Sequence, residues 1–336
     1  MNNSQQDIPV IDIPAQTHPW STVLALAEAT DDPTDWRLTG GLMVQLHAMA
    51  RGTEARPTTD ADLLVDVLTH QHAVRRVEDL LKSLGFTTHV GTLSDYTTRM
   101  TRGTAVVDLL VDNHLSPFLK NRACLDGHPM LGMPGSRKAV ARSMLVTLRY
   151  EDTQATMCIP DVLGALLMKI ASWRETHQGD RSRHLYDAAL LASMIDDPRK
   201  ELLRLDCHSP SDRRNIKTLT EQLAGDDADD YFDPLSPEQV AQAKMAINEF
   251  SRLLAMPRHG GRQRSICDNR LRYGDDVERG KLRGDAKAWC TWMLDEGRWA
   301  QGANYNAPAA EQGTWRRAAL QHERKARRHG PRGGIP

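Results

Sequence analysis

The sequence lacks the features that mark secreted and membrane proteins. Its five cysteines show no Cys-x-x-Cys spacing, so they imply neither a zinc site nor a disulfide framework. The longest apolar run, near residues 162–168, is far too short to span a bilayer. The first residues lack the basic and apolar regions of a signal peptide. We therefore expect a cytoplasmic protein with no membrane partner.

Net charge is also nearly absent, but the total of −1 conceals a division along the chain. Residues 258–336 contain seventeen lysines and arginines against nine aspartates and glutamates, which gives this segment +8 and residues 1–257 a charge of −9. Such asymmetry indicates either a basic tail with its own purpose or a solvated extension without one.

What the sequence does contain is typical of a globular protein. Hydrophobic residues make up 40% and charged residues 26%, which argues against a disordered or membrane-embedded chain. With 336 residues, the chain is long enough for two domains.

Three aspartates lie in two short segments that have the composition of β-strands. Asp60 and Asp62 lie within residues 58–65 (TTDADLLV), and Asp108 lies within residues 106–111 (VVDLLV). Both segments are rich in valine and leucine and too short for amphipathic helices. Because residues two apart on a strand share a face, Asp60 and Asp62 should project together.

Two neighbouring carboxylates on an apolar strand repel each other, and neither is buried cheaply without a partner. A divalent cation would resolve this conflict, and Mg²⁺ takes one or two carboxylates together with substrate phosphates. We therefore predict Asp60, Asp62 and Asp108 as catalytic residues and Mg²⁺ ligands of a phosphoryl-transfer site. In that site Asp108 either completes a second metal site or acts as the base that prepares an acceptor hydroxyl. Alone, an Asp-x-Asp pair is more often part of a surface loop, so the prediction depends on its combination with other features.

A pair of glycines precedes the acids. Gly40 and Gly41 follow a short segment at residues 36–38 and begin a helical run at residues 42–49. Glycines at the start of a helix let a phosphate approach the backbone, where free N–H groups and the helix dipole favour an anion. Alone, a Gly-Gly pair more often marks an ordinary turn.

The order of these features resembles the nucleotidyltransferase-fold superfamily, in particular the AbiEii-type toxins of bacterial toxin–antitoxin systems. Two stretches carry the resemblance, LTGGLMVQLH at residues 38–47 and RPTTDADLLV at residues 56–65. The resemblance implies an α+β fold with a nucleotidyltransferase-like mixed β-sheet flanked by helices and followed by an α-helical domain. The nucleotide-binding residues that it implies are Gly40, Gly41, Thr59 and Lys169. One departure is that Gly41 stands where many relatives have serine.

Two further residues are carried over from the resemblance, which covers about residues 36–195. Lys169 lies on a helix predicted over residues 161–177, and Asp187 on one predicted over residues 184–194. The resemblance implies that the lysine faces the nucleotide triphosphate and that the aspartate closes the active site. The alternatives are a solvent-facing lysine, and an aspartate paired with a neighbour such as Arg183. Lys169 interrupts an otherwise apolar helix face, which favours the functional interpretation.

Outside the site, hydrophobic spacing together with glycine, proline and helix-capping residues predicts several helices and strands. We expect a helix over residues 71–84 that ends at Gly85, and strands over residues 99–112 and 143–150. A Ser-Pro-Glu-Gln sequence at residues 236–239 predicts a capping box and a helix that continues to about Leu254.

Three segments follow from this reading. Residues 1–150 are predicted to form the catalytic domain, and residues 151–256 a helical domain that completes the active site. Residues 257–336 form a basic tail with four of the seven tryptophans. Interleaved arginine and tryptophan suit RNA. The Gly/Pro/Arg-rich ending favours the alternative, a partly disordered extension.

These features predict a Mg²⁺-dependent nucleotidyltransferase that moves NMP from an NTP to an acceptor hydroxyl. The resemblance implies that the acceptor is an RNA end, tRNA above all, or a protein hydroxyl, and that a cognate antitoxin protein is the partner. Two alternatives stay open. One is a catalytically silent nucleotide- or RNA-binding protein of the same fold. The other is a small-molecule nucleotidyltransferase of the aminoglycoside-modifying type.

Overall fold

A computed structural model of the chain describes residues 8–70, 72–90, 98–175 and 180–256. The predicted tail at residues 257–336 therefore lies outside the described residues, as do the last residues of the helix predicted over 161–177. None of the helices in the described ranges is both long enough and apolar enough to cross a membrane.

Up to residue 160 the described part of the chain forms eleven strands interspersed with helices, and from there to residue 256 the described elements are all helical. The strands are β1 (Val10–Asp12), β2 (Trp36–Thr39), β3 (Asp60–Val65), β4 (Thr87–His89), β5 (Arg99–Arg102), β6 (Ala105–Asp112), β7 (Cys124–Leu125), β8 (His128–Pro129), β9 (Gly132–Met133), β10 (Ser143–Tyr150) and β11 (Thr153–Pro160). The helices are α1 (Trp20–Ala29), α2 (Gly40–Met49), α3 (Ala73–Ser83), α4 (Pro117–Lys120), α5 (Ser136–Ala141), α6 (Val162–Glu175), α7 (Arg183–Ser193), α8 (Pro198–Leu202), α9 (Pro210–Leu223) and α10 (Pro237–Ala255), with a 3-10 helix at Asp226–Phe232.

Nine of the strands form one mixed sheet, which confirms the predicted mixed sheet flanked by helices. Its order is β1-β10-β11-β2-β3-β6-β5-β4, and β9 joins the end of β6. Strands β3 and β6 run parallel at its centre, whereas β2 runs antiparallel to β3. The two acid-bearing strands are thus direct neighbours.

The alternation along β3 is the one that the sequence predicts. Ala61 and Leu63 are each 1% exposed and belong to the hydrophobic core, while Asp60 and Asp62 are half-buried on the opposite face. Apolar side chains therefore anchor the strand, and its two carboxylates share the other face.

The region predicted as one strand over residues 99–112 forms two strands, so that prediction is wrong. Gly103 adopts a left-handed φ of 59°, and the chain reverses there so that β5 and β6 pair antiparallel. A second hairpin joins β10 to β11 around Glu151, which also has a positive φ, of 51°. The central sheet consequently continues past residue 150 to Pro160.

Several local predictions are confirmed. Strand β10 has the predicted bounds, and Gly85 follows α3 with a left-handed φ of 84°. Helix α10 begins with the predicted capping box between Ser236 and Gln239. In each case a cap or turn residue determines where the element begins or ends.

Helix α2 packs against two hydrophobic clusters. Leu42 and Leu46 belong to the cluster that lines the sheet. Met43, Val44 and Ala48 belong to a second cluster, formed largely by α6, α7, α9 and α10. Helix α2 therefore packs against both the sheet and the helical region, and its first residue, Gly40, lies beside Asp62 on β3.

Candidate active site

The sheet brings the three predicted acids together. In the parallel pairing of β3 with β6, Asp62 lies directly opposite Asp108, and Asp60 is on the same face two residues earlier. One carboxylate oxygen from each residue lies within 4.8 Å of the other two. Three hard oxygen ligands at this spacing fit the requirements of a cation such as Mg²⁺.

The Asp62 carboxylate is short of positive charge. Its burial and the charges of Asp60 and Asp108 raise its pKa to about 6, although Lys169 and Arg183 act in the opposite direction. Among the described residues, no donor hydrogen-bonds to this carboxylate. A group that is half-buried, flanked by like charges and without a donor is one that a bound cation would stabilise.

Within the described ranges, Asp60 has one hydrogen-bond donor, Thr58, which the sequence did not reveal. The Thr58 hydroxyl donates to Asp60 Oδ1 at 2.5 Å, whereas the side chain of Thr59 is exposed. The role of Thr59 in nucleotide binding stays a prediction, and Thr58 is the threonine that orients a predicted metal ligand.

The two glycines are required by close packing against the acid-bearing strand. Gly40 has a left-handed φ of 64°, and a Cβ atom there would lie 1.8 Å from Asp62 Oδ2. A Cβ atom on Gly41 would lie 2.9 Å from the Cβ of Thr58. The start of α2 therefore meets the carboxylates directly, and its positive dipole end faces negative charge. The approach of a phosphate to these glycines remains a prediction.

Lys169 and Asp187 form a buried ion pair. Lys169 Nζ lies 2.7 Å from Asp187 Oδ2, and the two side chains are 6% and 2% exposed. This burial excludes the solvent-facing alternative for Lys169. Arg56 is the second partner, since its Nε and Nη2 atoms donate to the two oxygens of Asp187 at 2.9 and 3.1 Å. The predicted alternative partner, Arg183, does not form this pair.

The ionisation of Asp187 follows from these contacts. Burial alone would raise its pKa, but Lys169 and Arg56 together hold its pKa below the usual range. With both oxygens engaged by cations, Asp187 is suited to positioning Lys169 and Arg56. The sequence missed Arg56 as a functional residue, although it begins the RPTTDADLLV stretch in which the acid pair was found.

The start of α7 adds to the positive side of the site. Arg183 and Lys169 both act on the charge of Asp62, so the helical region supplies positive charge to the acid cluster. Burial, together with Lys169 and Arg183, lowers the pKa of His184 to about 4. At neutral pH His184 is therefore uncharged, and the positive charge that α6 and α7 bring near Asp62 comes from Lys169 and Arg183.

Arg99 is a third residue that the sequence did not reveal, after Thr58 and Arg56. It faces Asp108 across the β5–β6 hairpin, and its Nε and Nη2 atoms donate to Oδ1 and Oδ2 at 2.9 and 2.7 Å. The available signal was Gly103, because a hairpin turn there places Arg99 opposite Asp108.

A second group of possible metal ligands lies at the opposite end of strand β2. Oxygen and nitrogen atoms of Asp32, Asp35 and His70 lie within 4.8 Å of one another. Arg76 already contacts both oxygens of Asp35, and the Thr34 hydroxyl donates to Asp32 at 2.7 Å. These protein donors satisfy the group, so it offers no comparable cation site.

Comparison of the chain with protein-family models, with curated proteins and with solved structures gives no match. The functional conclusion therefore rests on the geometry and charge of the site.

Proposed function

We propose that the protein is a metal-dependent nucleotidyltransferase with a nucleotidyltransferase-like fold, which moves NMP from an NTP to an acceptor hydroxyl and releases pyrophosphate. The observation that carries the proposal is the acid cluster. Asp60, Asp62 and Asp108 present oxygens within 4.8 Å of one another, and Asp62 has a raised pKa and no donor among the described residues. A purely structural cluster would be expected to have such a carboxylate paired.

Asp60 and Asp62 would hold Mg²⁺, with Asp108 beside them. A bound magnesium ion would neutralise charge on the triphosphate and orient it for in-line displacement. Asp60 is oriented for this role by Thr58, and Asp62 by the close approach of Gly40.

Lys169 and Arg56 would bind the triphosphate. Both are held by Asp187. Within the part of the chain that the structure describes, two of the three Lys169 protons and the Nη1 group of Arg56 have no acceptor and are open to an anion. Asp187 then acts as a positioning residue for these two cations. This role differs from direct participation in the chemistry and follows from the contacts of both its oxygens.

The acceptor is proposed from the resemblance to AbiEii-type toxins. By that resemblance it is an RNA end, tRNA first, or a protein hydroxyl, and the protein is a cytoplasmic toxin with a cognate antitoxin. The intact acid cluster favours an enzyme over a catalytically silent binding protein.

The test is transfer of label from nucleotides to candidate acceptors. The full chain is incubated with Mg²⁺ and each NTP, labelled on the α-phosphate or on the γ-phosphate, together with total RNA, a bacterial proteome or an aminoglycoside. We expect RNA to gain α-label only, because NMP is transferred and pyrophosphate leaves. Asp60→Ala and Asp62→Ala should abolish transfer, while Asp79→Asn, an exposed aspartate on α3, should not.

The outcomes separate the candidate functions. Labelling of the aminoglycoside alone would indicate the small-molecule enzyme, and nucleotide binding without transfer would indicate the silent protein. Transfer that persists in both alanine variants would overturn the proposed site.

A further inference from the structure

We infer that the Arg99 guanidinium takes the place of a second metal ion at Asp108. The site then binds a single divalent cation, held by Asp60 and Asp62. This inference rests on the proposed function and deepens it, since it assigns the number of ions and names a positioning residue. Nucleotidyl transfer would otherwise be expected to use Asp108 in a second metal site.

The contact between Arg99 and Asp108 is fixed by the backbone. The two residues are Cα partners in the β5–β6 pairing, so their side chains leave the sheet side by side. Two N–H groups of Arg99 donate to the two oxygens of Asp108 at 2.9 and 2.7 Å. This paired arrangement is the strongest form of arginine–carboxylate contact, and it adds geometric specificity to the charge.

The three carboxylates differ in how far they are neutralised. Asp108 is only 13% exposed and has a full counter-charge in Arg99. Asp60 has only the neutral Thr58 hydroxyl, and Asp62 has no hydrogen-bond donor among the described residues. The unmet demand for positive charge therefore lies at Asp60 and Asp62, and a second ion at Asp108 would meet a guanidinium at close range.

A count of charges supports one ion. Three carboxylates and one guanidinium leave two negative charges, which a single divalent cation neutralises. Two divalent cations would leave the cluster with a net charge of +2 before the nucleotide binds. The charge of Arg99 also interacts with Asp60 and Asp62, so the guanidinium is close enough to act on the whole cluster.

The experiment counts ions bound to the full chain. Mn²⁺ is titrated into the metal-free protein and free Mn²⁺ is followed by electron paramagnetic resonance, first alone and then with one equivalent of a non-hydrolysable NTP analogue. Binding of Mn²⁺ to the analogue alone is subtracted. We expect one ion per chain in the wild type and in Arg99→Lys, which keeps the charge.

Arg99→Ala should bind two ions per chain, because Asp108 is released. It should also bind the first ion about tenfold more tightly, since a repelling unit charge is removed from the cluster. The double variant Arg99→Ala/Asp108→Asn should return to one ion, which assigns the second ion to Asp108. Arg99 is 48% exposed, and circular dichroism of each variant checks that the fold is retained.

Each other outcome overturns the inference. Two ions in the wild type would mean that a metal ion displaces or joins Arg99. One ion in Arg99→Ala would mean that Arg99 forms only an ion pair at the protein surface. Both results leave the proposed function in place. No bound ion in the wild type would overturn the metal-dependent function as well.

Discussion

Asp62 and Asp187 are both aspartates of the candidate site, yet their surroundings shift their ionisation in opposite directions. Burial and two neighbouring carboxylates raise the pKa of Asp62 to about 6. Lys169 and Arg56 outweigh burial at Asp187 and lower its pKa. Neutral substitutions at these two positions should therefore change the free energy of unfolding with opposite signs.

Asp62→Asn should stabilise the metal-free protein at pH 7.5. Because the pKa of Asp62 is about 6 in the folded state against its ordinary value of 3.8, its ionisation destabilises the folded state as pH rises from about 4 to about 6. The expected gain is about 3 kcal/mol above pH 6 and fades towards pH 4. Urea unfolding in EDTA measures it, with Asp79→Asn as the control. If the variant is less stable than the wild type at pH 7.5, burial and repulsion from Asp60 and Asp108 do not destabilise the ionised Asp62.

Asp187→Asn should destabilise the protein by about 3 kcal/mol, because it leaves the buried Lys169 without its counter-charge. Asp196→Asn is the matched control, since Asp196 also pairs both oxygens with one arginine, Arg51, but its side chain is 74% exposed. Its loss should cost less than about 1 kcal/mol. Equal effects of the two substitutions in urea unfolding would show that Asp187 does not hold a buried charge.

Lys169→Ala should weaken nucleotide binding, because a charge-assisted contact with phosphate is worth about 1.5–3 kcal/mol. Lys169→Arg should recover only part of the affinity, since the guanidinium has a different reach and geometry. Calorimetric titration with a non-hydrolysable NTP analogue gives the affinities. Unchanged affinity in the alanine variant would restrict Lys169 to its structural pairing with Asp187.

At the scale of elements, the junction between β2 and α2 determines the position of Asp62. Gly40 and Gly52 both have left-handed φ values, of 64° and 62°. A Cβ atom would collide with Asp62 at the first glycine and meets nothing within 4 Å at the second. Alanine substitutions at these two glycines therefore separate the cost of backbone strain, which both positions share, from the cost of a steric clash with Asp62, which only Gly40 has.

Gly52→Ala should cost about 1 kcal/mol, which is the effect of backbone strain alone. Gly40→Ala should cost about 3 kcal/mol or more and should also lower Mn²⁺ affinity, because Asp62 has to move. Urea unfolding and Mn²⁺ titration of both variants measure these effects. Similar losses at the two positions would mean that the Asp62 carboxylate is free to shift away.

Elements with strong local signals could be predicted from the sequence, and contacts between distant residues could not. The acid-bearing strands and the burial of Lys169 follow from alternation and from an interrupted apolar face. The Arg99–Asp108 contact depends on a turn at Gly103 that is weak in sequence, and the Arg56–Asp187 contact joins residues 131 positions apart. No local pattern specifies which of many arginines will reach a given buried aspartate.

At the scale of the whole molecule, the described part of the chain has a well-anchored end. Arg213 on α9 donates to the backbone carbonyls of Leu253, Leu254 and Met256, which satisfies the last turn of α10. This contact holds the end of α10 against α9 through residues that all precede residue 257.

Deletion of residues 257–336 should therefore leave a soluble protein with an unchanged thermal midpoint. RNA binding should weaken modestly and become less sensitive to salt, because fewer counterions are released. Transfer to a short acceptor should persist, since the proposed site residues all precede Met194. Calorimetry and RNA binding at several salt concentrations test this. An insoluble product would show that tail tryptophans such as Trp289 and Trp292 belong to the core.

Helix α2 contributes to both hydrophobic clusters, and these clusters are completed at different stages of synthesis. The sheet strands that bear the acids are synthesised by residue 112, but Lys169, Asp187 and the cluster that covers Met43 come later. A chain emerging from the ribosome thus carries two uncompensated acids, Asp60 and Asp62, and an uncovered apolar face on α2. If the protein modifies the RNA used in translation, the site cannot be completed until the chain has been made at least as far as Asp187.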